Sequence, residues 1–215
     1  MEILLIVATQ AEIAPFISVY KQSRNPAHAI NIVVTGVGMV ATASGASTEL
    51  TRKRYDLAIN AGIAGAIDHN LNLGDVLEVK EEAFYAFGAE DAGNLISVHD
   101  SGLVPADSFP FVRGVLLSPE NQPAMFQQLK KAKGVTVQTV HGNDESIRQL
   151  RLRNPEAQLE SMEGAAFFYA CLQAGVPFIE LRSISNYVEP RNRLNWKIEQ
   201  AINNLNNTLL QALIV

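Results

Sequence analysis

The chain begins with an almost unbroken apolar run, and similar runs recur along it. Residues 3–8 and 29–35 are dominated by Ile, Leu, Val and Ala, and residues 178–183 begin with a shorter apolar run. Runs of this length without polar alternation are typical of strands that are covered on both faces of a parallel sheet. We predict strands over these three ranges, and further strands that begin at Asp56, near 76–79, over 134–141 and over 158–160.

Helical periodicity fills much of the space between these strands. In the last part of the chain, apolar residues recur at a spacing of three or four positions: Ile198, Ile202, Leu205, Leu209 and Leu213. Helices are predicted over about 12–20, 40–50, 124–133, 145–153 and 162–174, and from Trp196 to the C-terminus. The alternation predicts one α/β domain over residues 1–215, with three α/β/α layers around a mixed, mostly parallel central sheet.

Composition and charge exclude several classes of function. With 47% hydrophobic residues, 18% charged residues and a net charge of −5, the chain is globular and lacks the basic balance of nucleic-acid binders. The first apolar run is too short to span a membrane, and a single cysteine fits a reducing compartment. We therefore expect a cytoplasmic protein that binds a small molecule, with no nucleic-acid or membrane partner.

Neither a metal nor a dinucleotide cofactor is expected. The four histidines show no metal-ligand spacing. The stretch from Gly36 to Ala41 matches the dinucleotide-binding fingerprint formally, but that fingerprint needs an acid at the end of the following strand. Here Asp56 begins that strand instead.

Polar residues and glycines cluster where the predicted strands end. Glu12 follows the first strand, Gly36 the second, and residues 60–65, which include Gly62, are expected to follow the third. Glu163 lies at a helix start, while Arg182 and Asn186 follow the apolar run near the end of the chain. In an open α/β sheet these ends meet at one edge, where ligands bind.

This set of residues favours attack by an activated water molecule. It contains no thiol and no clear Ser–His pair, so a protein nucleophile is not indicated. Carboxylates, an arginine and an amide suit general-base and electrostatic catalysis. One hypothesis is therefore that the site catalyses hydrolysis or phosphorolysis of a C–N bond.

Five segments resemble the purine nucleoside phosphorylase and nucleosidase superfamily. Residues 160–166, ESMEGAA, are similar to its V-E-M-E-x-A-A motif, and residues 182–186, RSISN, to its R-A-I-S-D motif. Glu12 within ATQAEI, the Gly36-Val37-Gly38 turn and the NAGIAG stretch at 60–65 match in order and spacing. The resemblance covers nearly the whole chain and implies a nucleoside phosphorylase-like fold.

The resemblance also implies roles for individual residues. Glu163 binds the ribose hydroxyls, Met162 packs on the sugar, and Glu12 activates the attacking water with help from Arg182. A nearby carboxylate stabilises the oxocarbenium-like sugar that forms when an N-glycosidic bond breaks. The other substrate-binding candidates are Gly36, Gly62, Val140, His141, Arg191 and Arg193, although His141 by itself also fits a surface or packing histidine, and the arginines a solvated surface.

Asn186 departs from the superfamily pattern and bears on the choice of base. Adenine-releasing nucleosidases carry an aspartate there, which can protonate N7 of a 6-aminopurine, whereas an amide supplies no acidic proton. An amide can hydrogen-bond N7 and a 6-keto oxygen. With Arg191, Arg193 and Trp196 nearby, this resembles the futalosine hydrolase branch, whose substrate carries hypoxanthine on ribose and a carboxyphenyl ketone at the 5′ end.

Three alternatives stay open at this point. They are a 5′-methylthioadenosine/S-adenosylhomocysteine nucleosidase, a purine nucleoside phosphorylase and a catalytically silent nucleoside-binding protein. Phosphorylases of the superfamily use arginines in the early loops, and none lies near Gly36 or Gly62. The resemblance also implies a homodimer or a higher homo-oligomer.

Overall fold

The computed structural model describes residues 1–23, 27–120 and 123–214. Its strands are β1 Glu2–Val7, β2 Ala29–Val34, β3 Leu57–Ala66, β4 Val76–Phe84, β5 Gly88–Asp91, β6 Asn94–Ser97, β7 Leu116–Leu117, β8 Lys130–Thr136, β9 Leu159–Ser161 and β10 Phe178–Tyr187. Its α-helices are α1 Gln10–Gln22, α2 Met39–Arg52, α3 Asp144–Arg153, α4 Gly164–Ala174 and α5 Ile198–Leu213. Strands and helices thus alternate over most of the chain, as predicted.

The central sheet is mixed and mostly parallel, which confirms the predicted fold class. Its order is β10-β4-β8-β9-β3-β1-β2, with β7 added beside β4. Strand β10 pairs with β4 antiparallel and also with β3 in parallel, so these strands with β8 and β9 close into a ring. The functional ends of β3, β9 and β10 are thereby brought around one space.

Helices cover both faces of the sheet, which gives the three predicted layers. On β1, Ile3 and Leu5 pack into the apolar cluster that contains residues of α1 and α5. Leu4 and Ile6 point to the opposite cluster, which contains residues of α2 and α4. This alternation explains why the run is apolar at every position, since a strand between two helical layers has no solvent face.

The predicted helix over 124–133 is wrong. Only Ala124–Phe126 is helical, as one 3-10 turn, and Lys130–Thr136 is strand β8. Its lysines do not complement a helix dipole but form ion pairs, Lys130 with Asp75 at 3.0 Å and Lys131 with Glu78 of β4. Pairing with an acidic neighbouring strand therefore decides the structure of this segment.

Three predicted strand ends also differ from the structure. The stretch 60–65 is not a loop but the second half of β3, because it pairs with β10 as far as Ala66 and Tyr187. Likewise β10 continues beyond residue 183 and includes Asn186. Val140 and His141, expected at the end of a strand, lie beyond β8, which ends at Thr136.

None of the helices in the three described ranges is long and apolar enough to cross a membrane. The cytoplasmic location stays a prediction.

Candidate active site

A cavity of about 370 Å³ opens where β1, β3, β9 and β10 end. Seven of the predicted site residues line it: Glu12, Val140, His141, Met162, Glu163, Asn186 and Arg191. Gly36, Gly62, Arg182 and Arg193 are outside its lining. The predicted convergence of distant segments on one edge is therefore present, while the individual roles stay predictions.

Glu12 lies in the first turn of α1, and three donors fix its carboxylate. The backbone N–H and hydroxyl of Thr9, the residue before the helix, donate to Oε2 at 3.0 and 2.7 Å. The N–H of Ile63 in β3 donates to Oε1 at 3.2 Å. A carboxylate has about four acceptor positions. One position therefore remains for a water molecule in the cavity.

Gly62 does not line the cavity. Because it has no side chain, it leaves room for two charged groups, those of Arg182 and Glu12. A Cβ atom at this position would lie 2.7 Å from Nη1 of Arg182 and 3.1 Å from Oε1 of Glu12. Any side chain would displace one of these groups. The glycine therefore lets the guanidinium approach the Glu12 carboxylate from behind the cavity wall.

Arg182 is buried beneath the site, at 1% exposure. Its Nε lies 2.9 Å from Oε1 of Glu180 and its Nη2 lies 3.8 Å from Oε2 of Glu163. Nη2 also donates to the side-chain oxygen of Asn60. Because it does not line the cavity, Arg182 acts on the site through the acids around it.

Glu163 is the residue that precedes α4. Its side chain connects the start of this helix to the glycine turn before α2. Its Oε1 accepts a hydrogen bond of 3.0 Å from the N–H of Gly38, which precedes α2. Gly38 and Gly36 have φ values of 95° and 97°, a region in which side chains are strained, so glycine is required for this turn. The turn thus binds Glu163 through the N–H of Gly38, while Gly36 only allows the backbone conformation of the turn. Met162 lies beside Glu163 on the cavity wall.

A β-bulge places Asn186 in the cavity. The register of β10 against β3 slips between Ile184 and Asn186, so Ser185 is the extra residue. The hydroxyl of Ser185 donates to Oδ1 of Asn186 at 2.8 Å, and Nδ2 of Asn186 donates to the carbonyl of Tyr187 at 3.0 Å. These bonds fix the orientation of the amide and leave one N–H for a ligand.

Glu160 is a site residue for which no role was predicted. It lines the cavity at 3% exposure and is fixed by His141, whose N–H donates to Oε1 at 3.0 Å and whose Nδ1 lies 2.7 Å from Oε2. Its neighbours on this wall include Gly65 and Asn186, since both Glu160 Cγ and Asn186 Nδ2 lie within 3.6 Å of the point where a Gly65 Cβ would be. Its only signal in the sequence is its position in the ESMEG motif.

Another part of the cavity lining is aromatic and basic. Arg191 and Trp196 line it together with Ile198 and Ile202 of α5. The guanidinium of Arg191 lies 5.0 Å from the centre of the Trp196 ring, and that of Arg193 lies 5.8 Å away without lining the cavity. Stacking on the indole holds the Arg191 guanidinium at the edge of the cavity.

Two carboxyl groups beneath the site hold protons more tightly than usual. Burial raises the pKa of Glu180 to about 7, although Arg182 opposes the change. Burial and the charge of Glu180 raise the pKa of Glu82 well above its ordinary value. Glu82 also accepts a 2.7 Å hydrogen bond from Thr136. The cluster around Arg182 thus retains a proton close to neutral pH.

Within the described ranges no three His, Cys, Asp or Glu side chains are grouped as metal ligands.

The chain belongs to the Phosphorylase superfamily, which it matches over residues 2–214. It is 31% identical over 183 residues to futalosine hydrolase of Streptomyces coelicolor, covering 80% of this chain and 73% of that protein. It is 28% identical over 165 residues to 5′-methylthioadenosine/S-adenosylhomocysteine nucleosidase of Colwellia psychrerythraea, covering 72% and 65%. The protein is an enzyme of the nucleosidase type.

The fold is shared with solved structures of the same superfamily. Futalosine hydrolase of Helicobacter pylori superposes with a TM-score of 0.79 at 16% identity, covering 99% of this chain and 97% of that one. The match therefore extends over the sheet, its helices and the loops around the cavity.

Replacement of Glu180 is expected to change how stability depends on pH. Because the folded-state pKa of about 7 lies above the ordinary 4.5, the folded protein binds more protons between these values, and wild-type stability falls as pH rises through them. Glu180→Gln cannot ionise, so its stability relative to wild type should increase from pH 5 to pH 8, by up to roughly 3 kcal/mol.

Denaturant unfolding at several pH values measures this difference. Glu90→Gln is the matched control, because Glu90 is exposed in the β5–β6 hairpin. A difference between Glu180→Gln and wild type that stays constant from pH 5 to pH 8 would contradict the raised pKa.

Proposed function

We propose that the protein hydrolyses the N-glycosidic bond of futalosine, releasing hypoxanthine and leaving dehypoxanthine futalosine. The observation that carries the proposal is the fixed amide of Asn186, which offers an N–H to the base. The similarity to futalosine hydrolase of Streptomyces coelicolor supports it.

Glu12 is the proposed general base. Its free acceptor position takes a proton from the attacking water, while the Thr9 and Ile63 donors keep its carboxylate in place. The water oxygen bonds to C1′ of the ribose as the bond from C1′ to N9 breaks. The electron pair leaves with the purine, which is then protonated. A fixed base that can reach the water contributes through both orientation and proton transfer.

Glu163 is the proposed ribose ligand. The Gly38 N–H holds one of its oxygens and Arg182 lies 3.8 Å from the other, so the carboxylate is held in place at the cavity wall. A negative charge beside the sugar stabilises the oxocarbenium-like transition state and accepts bonds from the ribose hydroxyls. Met162 covers the sugar from the same wall.

Asn186 and Glu160 are proposed to select a 6-oxopurine. The free N–H of Asn186 donates to N7 or to the 6-keto oxygen as negative charge develops on the base. The carboxylate of Glu160 is suited to accept the N1–H of hypoxanthine, whereas adenine has a lone pair at N1. A buried acceptor that faces a lone pair is left unsatisfied, which disfavours the wrong base.

Arg191 is proposed to bind the carboxylate at the 5′ end of the substrate. It stands at the end of the cavity with Trp196, whose ring also offers a face to a carboxyphenyl group. In the part of the chain described, no carboxylate forms an ion pair with it. An arginine can bind such a group through two parallel hydrogen bonds.

A 5′-methylthioadenosine/S-adenosylhomocysteine nucleosidase is the second candidate, favoured by the similarity to the Colwellia psychrerythraea enzyme. Asn186 argues against it, because an amide cannot protonate the adenine leaving group. A phosphorylase is less well supported, because Arg191 is the only Arg or Lys in the lining of the described cavity.

We also propose that the protein acts as a homodimer or a higher homo-oligomer. Exposed apolar side chains of Val40 and Tyr169 line a shallow groove with Phe84, and Val40 lies one turn after the cavity residue Val37. A second copy of the chain would remove this surface from water. Sedimentation as a single chain at micromolar concentration would contradict this proposal.

The purified enzyme is expected to release hypoxanthine from futalosine without phosphate. Futalosine, inosine and methylthioadenosine should be compared with and without phosphate, and the released base and sugar identified by chromatography. Phosphate-dependent formation of a sugar 1-phosphate would overturn hydrolysis. Adenine release from methylthioadenosine as fast as hypoxanthine release from futalosine would overturn the choice of base.

Asn186→Asp is expected to shift the preference towards adenine nucleosides. Hydrolysis of futalosine should fall about 10- to 100-fold, because an aspartic acid carries one proton and cannot serve both the Tyr187 carbonyl and the base, as the amide does. Methylthioadenosine hydrolysis should rise, since a protonated aspartic acid can donate to N7. Values of kcat/KM for both nucleosides measure the shift. Equal losses for the two substrates would show that Asn186 does not select the base.

Arg191→Ala is expected to lower kcat/KM for futalosine by roughly 10- to 100-fold, the effect of losing a charge-assisted contact. Inosine, which lacks the 5′ carboxylate, should be affected by less than about twofold in the same variant. Arg193→Ala is the matched control, because Arg193 also stacks on Trp196 but does not line the cavity. Equal effects of the two variants on futalosine would contradict the assignment.

A further inference from the structure

Helix α1 is continuous, but Pro15 interrupts its backbone hydrogen bonding three residues after Glu12. Pro15 lies inside the helix and is exposed to solvent. Proline has no N–H to donate to the carbonyl of Ala11, and its ring crowds that carbonyl, so the first turns of the helix lack one backbone hydrogen bond. These are the turns that carry the Glu12 side chain to the cavity.

The side chain of Asn206 from α5 is inserted at this interruption. Its Oδ1 accepts from the N–H of Phe16 at 2.9 Å, and its Nδ2 donates to the carbonyl of Glu12 at 2.8 Å. In a regular α-helix these two backbone groups bond to each other. Asn206 is 1% exposed. One buried amide thus bonds to both of these backbone groups next to the proposed general base.

A third bond connects the amide to the cavity wall. Nδ2 of Asn206 also donates to the carbonyl of Ile202 at 2.7 Å, and Ile202 lines the cavity. The backbone of Glu12 and that of Ile202 are therefore bound by the same NH₂ group. The position of Glu12 along its helix is coupled to the wall that faces it.

We infer that Asn206 is a positioning residue for Glu12. Its amide sets the place of the Glu12 backbone, and through it the distance between the carboxylate and the attacking water. The inference rests on the proposed hydrolysis, in which Glu12 is the general base.

Asparagine is suited to this position by its chemistry. Phe16 requires an acceptor, while the carbonyls of Glu12 and Ile202 require two donors, and an amide has all three on a short side chain. Alanine leaves the three backbone groups without this partner. Aspartate keeps the shape and the acceptor but loses the donors at neutral pH.

The expected signature is a loss in kcat with little change in KM. In Asn206→Ala, kcat should fall roughly 10- to 100-fold, since small displacements of a catalytic group have effects of this size. KM should change less than about twofold, because Glu163, Asn186 and Arg191 are untouched. Asn207→Ala, the exposed neighbour on the same helix, is the matched control and should match wild type.

Removing the interruption should restore activity. Pro15→Ala returns an N–H to α1 and lets Phe16 bond to Glu12 directly. The double variant Pro15→Ala/Asn206→Ala should therefore recover at least a third of the kcat that Asn206→Ala loses. Pro15→Ala alone should have a kcat near that of wild type. A merely structural role in the core predicts no such rescue. Absence of rescue, or a KM effect as large as the kcat effect, would overturn the inference.

Two further measurements separate this inference from the proposed function. Amide hydrogen exchange should be faster in residues 11–17 of Asn206→Ala than in the same residues of Asn207→Ala. Unchanged exchange would overturn the role of Asn206 in holding the Glu12 backbone, even if the enzyme hydrolyses futalosine. A wild-type enzyme inactive on every nucleoside tested would overturn the proposed function, whatever the exchange result. Should Asn206→Ala not fold, the shape-retaining Asn206→Asp is expected to give the same loss in kcat, and full activity in it would also overturn the inference.

Discussion

The site depends on one buried positive charge. Arg182 is almost fully removed from water, and an unpaired guanidinium there would cost several kcal/mol. Glu180 and Glu163 lie 2.9 and 3.8 Å from it, and Glu12 lies close by across Gly62. The arginine attracts the carboxylates at the cavity wall, and those carboxylates in turn make its burial possible. Removing either the arginine or these carboxylates would leave the other as an uncompensated buried charge.

Protonation of carboxyl groups below the cavity reduces the excess negative charge of this cluster. One guanidinium cannot balance four carboxylates, and the deepest two, Glu82 and Glu180, have raised pKa values. They retain a proton near neutral pH, whereas Glu12 and Glu163 face the cavity and accept hydrogen bonds from backbone N–H groups. Burial thus raises the pKa of the two carboxyl groups that lie beneath the cavity and not on its wall.

Local patterns in the sequence were sufficient for most strands and helices, and for the convergence of Glu12, Glu163 and Asn186. They failed where a distant partner decides the structure. Residues 130–133 form a strand because β4 offers acidic partners, and 60–65 stay in β3 because β10 continues beside them. The roles of Glu160 and Asn206 depend on contacts with residues far along the chain, which spacing does not reveal.

The bulge at Ser185 explains how one scaffold can serve an amide or an acid at position 186. The Ser185 hydroxyl needs an oxygen to accept its proton, and the Tyr187 carbonyl needs a donor. Asparagine satisfies both and keeps one N–H for the base. An aspartate could satisfy both only when protonated, because its oxygen would otherwise face the carbonyl oxygen. The single proton of that aspartic acid could serve either the Tyr187 carbonyl or the base, whereas the amide of asparagine serves both with separate N–H groups. Under the proposed function, a change at this one residue would alter the donors that the site offers to the leaving group while the bulge that places it stays the same.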